Sequence, residues 1–141
     1  MSNEIEVAQR ELIEDFEMFD DWIDRYQYII DMGRRLPDFP EALKTDAHRI
    51  RGCQAQVWFV PTSSDGRLHF QAISDAAIVS GLIAILLRLY DGRRPQDILE
   101  TPPNFVSALQ LESHLSPTRS TGLASMLAAI RRFASEAVTA G

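Results

Sequence analysis

Gln54-Ala55-Gln56-Val57-Trp58-Phe59-Val60, followed by Pro61-Thr62-Ser63-Ser64-Asp65-Gly66 and then Arg67-Leu68-His69-Phe70-Gln71-Ala72-Ile73, is where the helical period of this 141-residue chain gives way. The run from Val57 to Val60 is continuously apolar and bounded by turn residues, the pattern of a strand buried on both faces. Residues 61–66 carry turn chemistry. Residues 67–73 alternate, with Leu68, Phe70 and Ala72 on one side and His69, Gln71 and Ile73 on the other, which predicts a half-buried strand. His48-Arg49-Ile50 predicts a further short strand in front of them. The expected layout is a three-stranded antiparallel meander, and helical patterns on both sides of it make the fold class α+β. The connection between the first two strands holds Gly52 and Cys53, the only cysteine in the chain.

Working outward, Asn3 followed by Glu6 is a capping-box variant, and Leu12, Phe16 and Phe19 recur behind it at helical spacing. These predict a helix over residues 4–18. Asp20 or Asp21 caps a second helix with Trp22, Tyr26, Ile29 and Ile30 as its apolar stripe, and Trp22 and Tyr26 are expected in the core. Gly33 is placed as its C-terminal stop, before a stretch whose prolines, Pro37 and Pro40, cannot continue a helix. On the other side of the strands, Ser74-Asp75 is expected to cap a helix over residues 76–90. That helix is apolar nearly all round and so predicted to be the long, buried, central one. Short segments follow over residues 96–99 and 101–109. Ser116-Pro117 starts the last helix, proline being favoured at the first helical position. Its apolar stripe is Leu123, Met126, Leu127, Ile130, Phe133 and Ala134, with fraying expected over residues 138–141. No repeat or linker is visible, and residues 1–141 are expected to form a single domain.

Composition narrows the function classes. Apolar content of 45% and charged content of 24% are ordinary for a globular protein. A net charge of −6 argues against sequence-independent binding of nucleic acid, which needs many cations. The longest apolar run, residues 76–87, is too short to span a bilayer. The N-terminus, Met1-Ser2-Asn3-Glu4, lacks the charged-then-apolar order of a signal sequence, and one cysteine cannot form an intramolecular disulfide. Both point to a reducing cytoplasm. His48, His69 and His114 are too scattered for a metal site, so no metal is expected. His69, on a strand, is expected to be structural. Lys44, the only lysine, sits in an unremarkable polar stretch for a Schiff base to pyridoxal phosphate, and no glycine-rich phosphate loop is present.

Cys53 is the candidate reactive group. Its neighbours His48, Arg49 and Arg51 are basic, and cations favour the thiolate, which is the reactive form. Gly52 gives the backbone freedom to expose or withdraw the sulfur. In a meander, Ser74, Asp75 and the start of the buried helix return beside Cys53, and a helix N-terminus also favours a thiolate. Asp75 opposes it. Three readings stay open on the residues alone: a working thiol, a cysteine hydrolase or acyltransferase with His48 or His114 as base, and an interaction module with a buried, inert cysteine.

Gly52-Cys53-Gln54-Ala55-Gln56-Val57-Trp58 resembles the signature of the SufE family of cysteine-desulfuration proteins. Trp22 through Tyr26 to Gly33-Arg34, then Leu36-Pro37, is similar to that family's N-terminal segment. Ser74-Asp75-Ala76-Ala77-Ile78-Val79-Ser80-Gly81-Leu82 is similar to the start of its central helix. Leu115-Ser116-Pro117-Thr118-Arg119-Ser120-Thr121-Gly122-Leu123 is similar to its C-terminal motif. The resemblance implies a sulfur acceptor that activates a cysteine desulfurase of the SufS or CsdA type. Cys53 would take sulfur as a persulfide and pass it to a SufB-containing scaffold for iron–sulfur cluster assembly. The pyridoxal phosphate would belong to the desulfurase, and the chain would need no cofactor and have no desulfurase activity of its own. Gly52, Gln54, Arg51, Asp75 and Arg119 are then the candidate supporting or partner-binding residues. The implied fold is shared with IscU-type scaffold proteins, but those use several cysteine ligands and one cysteine cannot hold a cluster. Two positions depart from the pattern: Ala55 stands where the family usually has serine, and Arg51 puts a charge where the family varies. The oligomeric state, a homodimer included, stays open.

Overall fold

The computed structural model describes residues 3–140, so the readings of Met1, Ser2 and Gly141 fall outside it. Helix α1 (Glu4–Glu17) opens on the expected capping box: the Glu6 amide donates to Asn3 Oδ1 at 2.9 Å and the Asn3 amide to Glu6 Oε1. Its buried face is Ile5, Leu12 and Phe16. Gln9 on the same face is also buried, and no hydrophobic pattern foretells it. Its Nε2 donates to the Pro102 carbonyl at 3.1 Å, and its Oε1 accepts from the Phe105 amide at 2.8 Å. A buried amide satisfied on both ends therefore ties α1 to the chain some ninety residues away.

Helix α2 (Trp22–Gly33) is capped by Asp21, which accepts from the Asp24 amide at 2.9 Å. It ends at Gly33 as expected, but the next residue, Arg34, stays right-handed and Gly33 has no positive φ. The glycine is there for packing. A Cβ on Gly33 would come within 2.5 Å of the Gly81 amide nitrogen, and one on Gly81 would overlap the Ile29 carbonyl. Helix α2 thus lies backbone to backbone on α3 (Ala77–Tyr90), the buried helix predicted at residues 76–90. Leu82, Ile83, Ile85, Leu86 and Leu89 of α3 are all essentially inaccessible.

Among the described residues the sheet has two strands, not three. β1 (Val57–Ser64) pairs antiparallel with β2 (Arg67–Ser74), from Val57 opposite Ser74 to Ser64 opposite Arg67. The turn is only Asp65-Gly66, with φ of 54° and 75°, the left-handed pair that a two-residue hairpin loop requires. Pro61 therefore lies inside a strand. It faces Phe70 in what counting from a two-residue loop makes a non-hydrogen-bonded pair, where its missing N–H matters little. The Phe70 amide accordingly points outward, donating to Asp91 Oδ1 at 2.7 Å. The predicted first strand at residues 48–50 is reduced to one isolated bridge, Arg49 to Trp58, and the Ile50 amide donating to the Val57 carbonyl at 2.9 Å. Residues Asp46–His48 form a 3-10 turn, because His48 Nδ1 lies 2.9 Å from the Leu43 carbonyl and curls the chain back on itself. Gly52, at φ 89°, then turns it away from β1 before a ladder can grow.

Three short helices, α4 (Pro95–Glu100), α5 (Phe105–Ala108) and α6 (Leu111–His114), lead to α7 (Pro117–Ala140). The longest helix is thus the last, while the most buried is α3. Ser116 caps α7 through the Arg119 amide at 3.3 Å. No fraying shows from residue 138: α7 stays helical to Ala140, with Thr139 Oγ1 donating to the Ser135 carbonyl at 3.0 Å. Among the described residues no helix is long and apolar enough to cross a membrane.

Candidate functional site

The hydrogen bond from Ile50 to Val57 closes the base of an excursion, residues 51–56, and Cys53 sits near its tip. The other side of the base is fastened reciprocally: the Gln56 amide donates to Asp75 Oδ1 at 3.0 Å and the Asp75 amide to the Gln56 carbonyl at 3.3 Å. Asp75 therefore anchors the loop and does not cap α3, whose N-cap is Ala76. Ser74 Oγ accepts from the Ala76 amide at 3.2 Å and finishes the turn. The chain folds this way because β2 returns beside β1, as the meander argument required.

Loop, α3 and α7 enclose a cavity of about 540 Å³. Cys53, Gln54 and Ala55 line it from the loop, and Asp75, Ala76, Val79 and Leu82 from the start of α3. Ser116, Thr118, Arg119, Gly122 and Met126 line it from α7. The Cys53 thiol is half-buried and donates to the Gly122 carbonyl, with Sγ 3.6 Å from the oxygen. Gly122 leaves room for it: a Cβ there would lie 3.7 Å from Sγ. Gly52 meets α7 more tightly, since a Cβ on it would overlap the Ser125 hydroxyl. The loop is thus laid against α7 with no space for a side chain at its hinge.

Burial pushes the Cys53 thiol above its ordinary value, and no cation offsets it. This corrects the expectation that Arg49 and Arg51 favour the thiolate. Both line a different cleft, on the far side of the loop, because the turn at Gly52 separates their side chains from the sulfur. The start of α3 does lie beside Cys53 as expected, but its Val79 and Leu82, with Met126 of α7, also form an apolar wall. At rest the thiol is held neutral, its proton directed at the Gly122 carbonyl.

Of the predicted site residues, Cys53, Gln54, Asp75 and Arg119 share the cavity, Gly52 is the hinge above it, and Arg51 is outside it. Arg119 donates to the Tyr26 hydroxyl at 2.9 Å. Tyr26 and Trp22, read as core, are only half-buried at this rim. Trp22 stacks on His114 with centroids 4.1 Å apart, and the Arg25 guanidinium lies 5.7 Å from the centre of the same indole. Among the described residues neither His114 nor His48 lines the cavity, so the hydrolase reading lacks its histidine base beside Cys53. His69 lies by Asp91 at 4.0 Å on the hairpin. Residue patterns missed Ser125 and the carbonyl of Gly122 as neighbours of the loop, and Tyr26 as the partner of Arg119. The one available signal was that Tyr26 and Gly122 fall in two of the motifs quoted above.

Comparison with known proteins agrees with those motifs. The family model described as SufE, Fe–S metabolism associated domain, matches residues 10–134. An uncharacterised SufE-like protein of Rhizobium meliloti (strain 1021) is 40% identical over 132 residues, covering 90% of this chain and 92% of that protein. The solution structure of a hypothetical protein from Thermus thermophilus superposes with a TM-score of 0.77 over 94% of this chain and 96% of that one. At 22% identity it speaks for the fold alone. With a family model spanning most of its length and a relative of this similarity, the chain belongs to the SufE family of Fe–S metabolism associated domains.

Proposed function

We propose that residues 1–141 act as one sulfur-acceptor domain that takes sulfur from a cysteine desulfurase and carries it as a persulfide on Cys53. The donor is of the SufS or CsdA type and holds the sulfur on its own cysteine. The Cys53 thiolate attacks the terminal sulfur of that persulfide. A bond forms between Cys53 Sγ and this sulfur, the donor's S–S bond breaks, and the donor cysteine leaves as a thiolate and takes up the proton that Cys53 gave up. One thiol and one persulfide become one persulfide and one thiol, with no net oxidation. A SufB-containing scaffold then removes the sulfur by the same exchange. One cysteine suffices, because the other thiols belong to the partners.

The observation that carries this reading is the seat of Cys53: a lone thiol, neutral at rest, on a glycine-hinged loop over a cavity. A thiol held in this way is slow towards stray oxidants and becomes nucleophilic when the loop is lifted. Gln54, Asp75 and Arg119 frame the opening, Asp75 by anchoring the loop and Arg119 from α7. The scheme calls on no cofactor of this chain, since the pyridoxal phosphate chemistry is the desulfurase's. It puts the protein in the cytoplasm, with its partners. Mass spectrometry after incubation with L-cysteine and a SufS-type desulfurase tests it. One sulfur atom gained on Cys53, and none on a folded Cys53→Ser variant, is the expected result. A Cys53→Ser protein that still stimulates the desulfurase fully would overturn it.

A further inference from the structure

The loop that carries Cys53 has a second side. Opposite the cavity it borders a separate notch of about 200 Å³, lined by Arg49, Arg51, Ser125 and Arg132 over a floor that includes Ile50 and Ala129. Among the described residues, no acidic one lines it. Arg132 shares one carboxylate, Glu136 at 3.8 Å, in a pair whose side chains are 60% and 67% exposed. Among the ion pairs of the described residues, none involves Arg49 or Arg51. In a chain of net charge −6, three arginines gathered at one notch with so little compensation are out of keeping with the surface around them.

The notch is open, and Arg51 is exposed. Solvent-screened guanidinium groups on a shallow surface hold a free anion weakly. The same groups serve a protein partner well, because complementary charge at the edge of an interface raises the rate of productive encounter. The position fits such a role. The notch and the cavity flank the same loop, so a protein that grips the loop from both sides to lift Cys53 reaches Arg51 as well. Ser125 lines the notch and is also the side chain on which Gly52 rests. A segment seated there touches the support of the hinge.

We infer that the notch formed by Arg49, Arg51 and Arg132 docks a carboxylate-rich segment of the desulfurase that donates sulfur to Cys53. This rests on the sulfur-transfer reading above. The test is to titrate the protein against a SufS-type desulfurase with L-cysteine and read the sulfur gained on Cys53 by mass spectrometry. The variants are R51Q/R132Q, R51K/R132K and, as a control for general charge, Arg94→Gln, whose exposed side chain lines neither cleft. Thermal melts check that all three fold. The glutamine pair is expected to need about fivefold more protein for half-saturation at low salt, with the same final yield. The gap should close to within about twofold at about 0.5 M salt. The lysine pair and Arg94→Gln should follow the wild type. The inference is overturned if the glutamine pair saturates with the wild type, if the lysine pair is equally impaired, or if Arg94→Gln has the same effect. A wild-type protein that gains no sulfur removes the sulfur-transfer reading itself, and the docking inference with it.

Discussion

Replacing Gly52 by alanine should lift the Cys53 loop while leaving the rest of the fold in place. The residue sits at φ 89°, beyond the small left-handed region open to residues with a Cβ. Left-handed backbone costs an L-residue about 1–2 kcal/mol. The new methyl would also meet the Ser125 hydroxyl, so a total of about 2 kcal/mol, at the upper end of that range, is reasonable. The closed loop bears this strain and the lifted loop does not. At about 1.4 kcal/mol per factor of ten, the lifted population rises about thirtyfold. If thiol reagents reach Cys53 through that population, labelling of the native protein should accelerate by the same factor. Urea unfolding should fall by less than the full strain, since opening the loop relieves part of it. Adding Ser125→Gly should recover the steric part and leave the backbone part. Independent opening of the loop is refuted if labelling stays within about twofold of wild type while the unfolding free energy drops by the whole ~2 kcal/mol. The strain would then be carried by the entire fold, and the loop would not open on its own.

Further outcomes follow from the packing and titration of the molecule. Gly81→Ala should destabilise by about 2 kcal/mol in urea, because the overlap with the Ile29 carbonyl forces α2 off α3 and outweighs the gain in helix propensity. Gly122→Ala, whose methyl would meet Sγ at an ordinary 3.7 Å, should hold its stability or gain up to about 1 kcal/mol. Labelling of Cys53 should rise about tenfold per pH unit from neutrality and continue past pH 9, because burial raises the thiol above its ordinary value of 9.0; a plateau below pH 9 would refute this. Tyr90, 3% exposed, is pushed by burial from 10.0 up to about 12. The folded state keeps this proton longer than the unfolded one, so the stability tied to it is present below pH 10 and lost as pH rises towards 12. That amounts to about 3 kcal/mol, and Tyr90→Phe should flatten the alkaline limb of a stability-against-pH profile.

Much of the fold is legible residue by residue. The capping box at Asn3, the Asp21 cap, the alternation from Leu68 to Ala72 and the all-round apolarity of α3 each report a local state, and each element formed where it was expected. Some local readings went wrong because a competing contact prevailed, the Asp75 cap of α3 among them. The strand expected at residues 48–50 gave way to a 3-10 turn fastened by His48, and Pro61, counted as turn, was accepted into β1 opposite an amide already committed to Asp91. The glycines are the instructive case. Gly33 and Gly81 read as punctuation or small-residue tolerance, yet their function is contact between two helices, which no single helix's pattern can express.

The sequence by itself determined the class of fold, the thiol on its hinge and, through four ordered motifs, the family. These depend on nearest neighbours and on residue identity, both present in a linear string. Only the tertiary structure decided what surrounds the sulfur. Arg51 is two positions from Cys53 in sequence yet lines the opposite cleft, while Gly122, far along the chain, supplies the carbonyl that accepts the thiol's hydrogen bond. The reason is geometric: one left-handed residue at Gly52 reverses the direction of the chain, and the packing of the loop against α7, not proximity in sequence, sets the field at Sγ. The same turn that withdraws the arginines from the thiol gathers them on the surface.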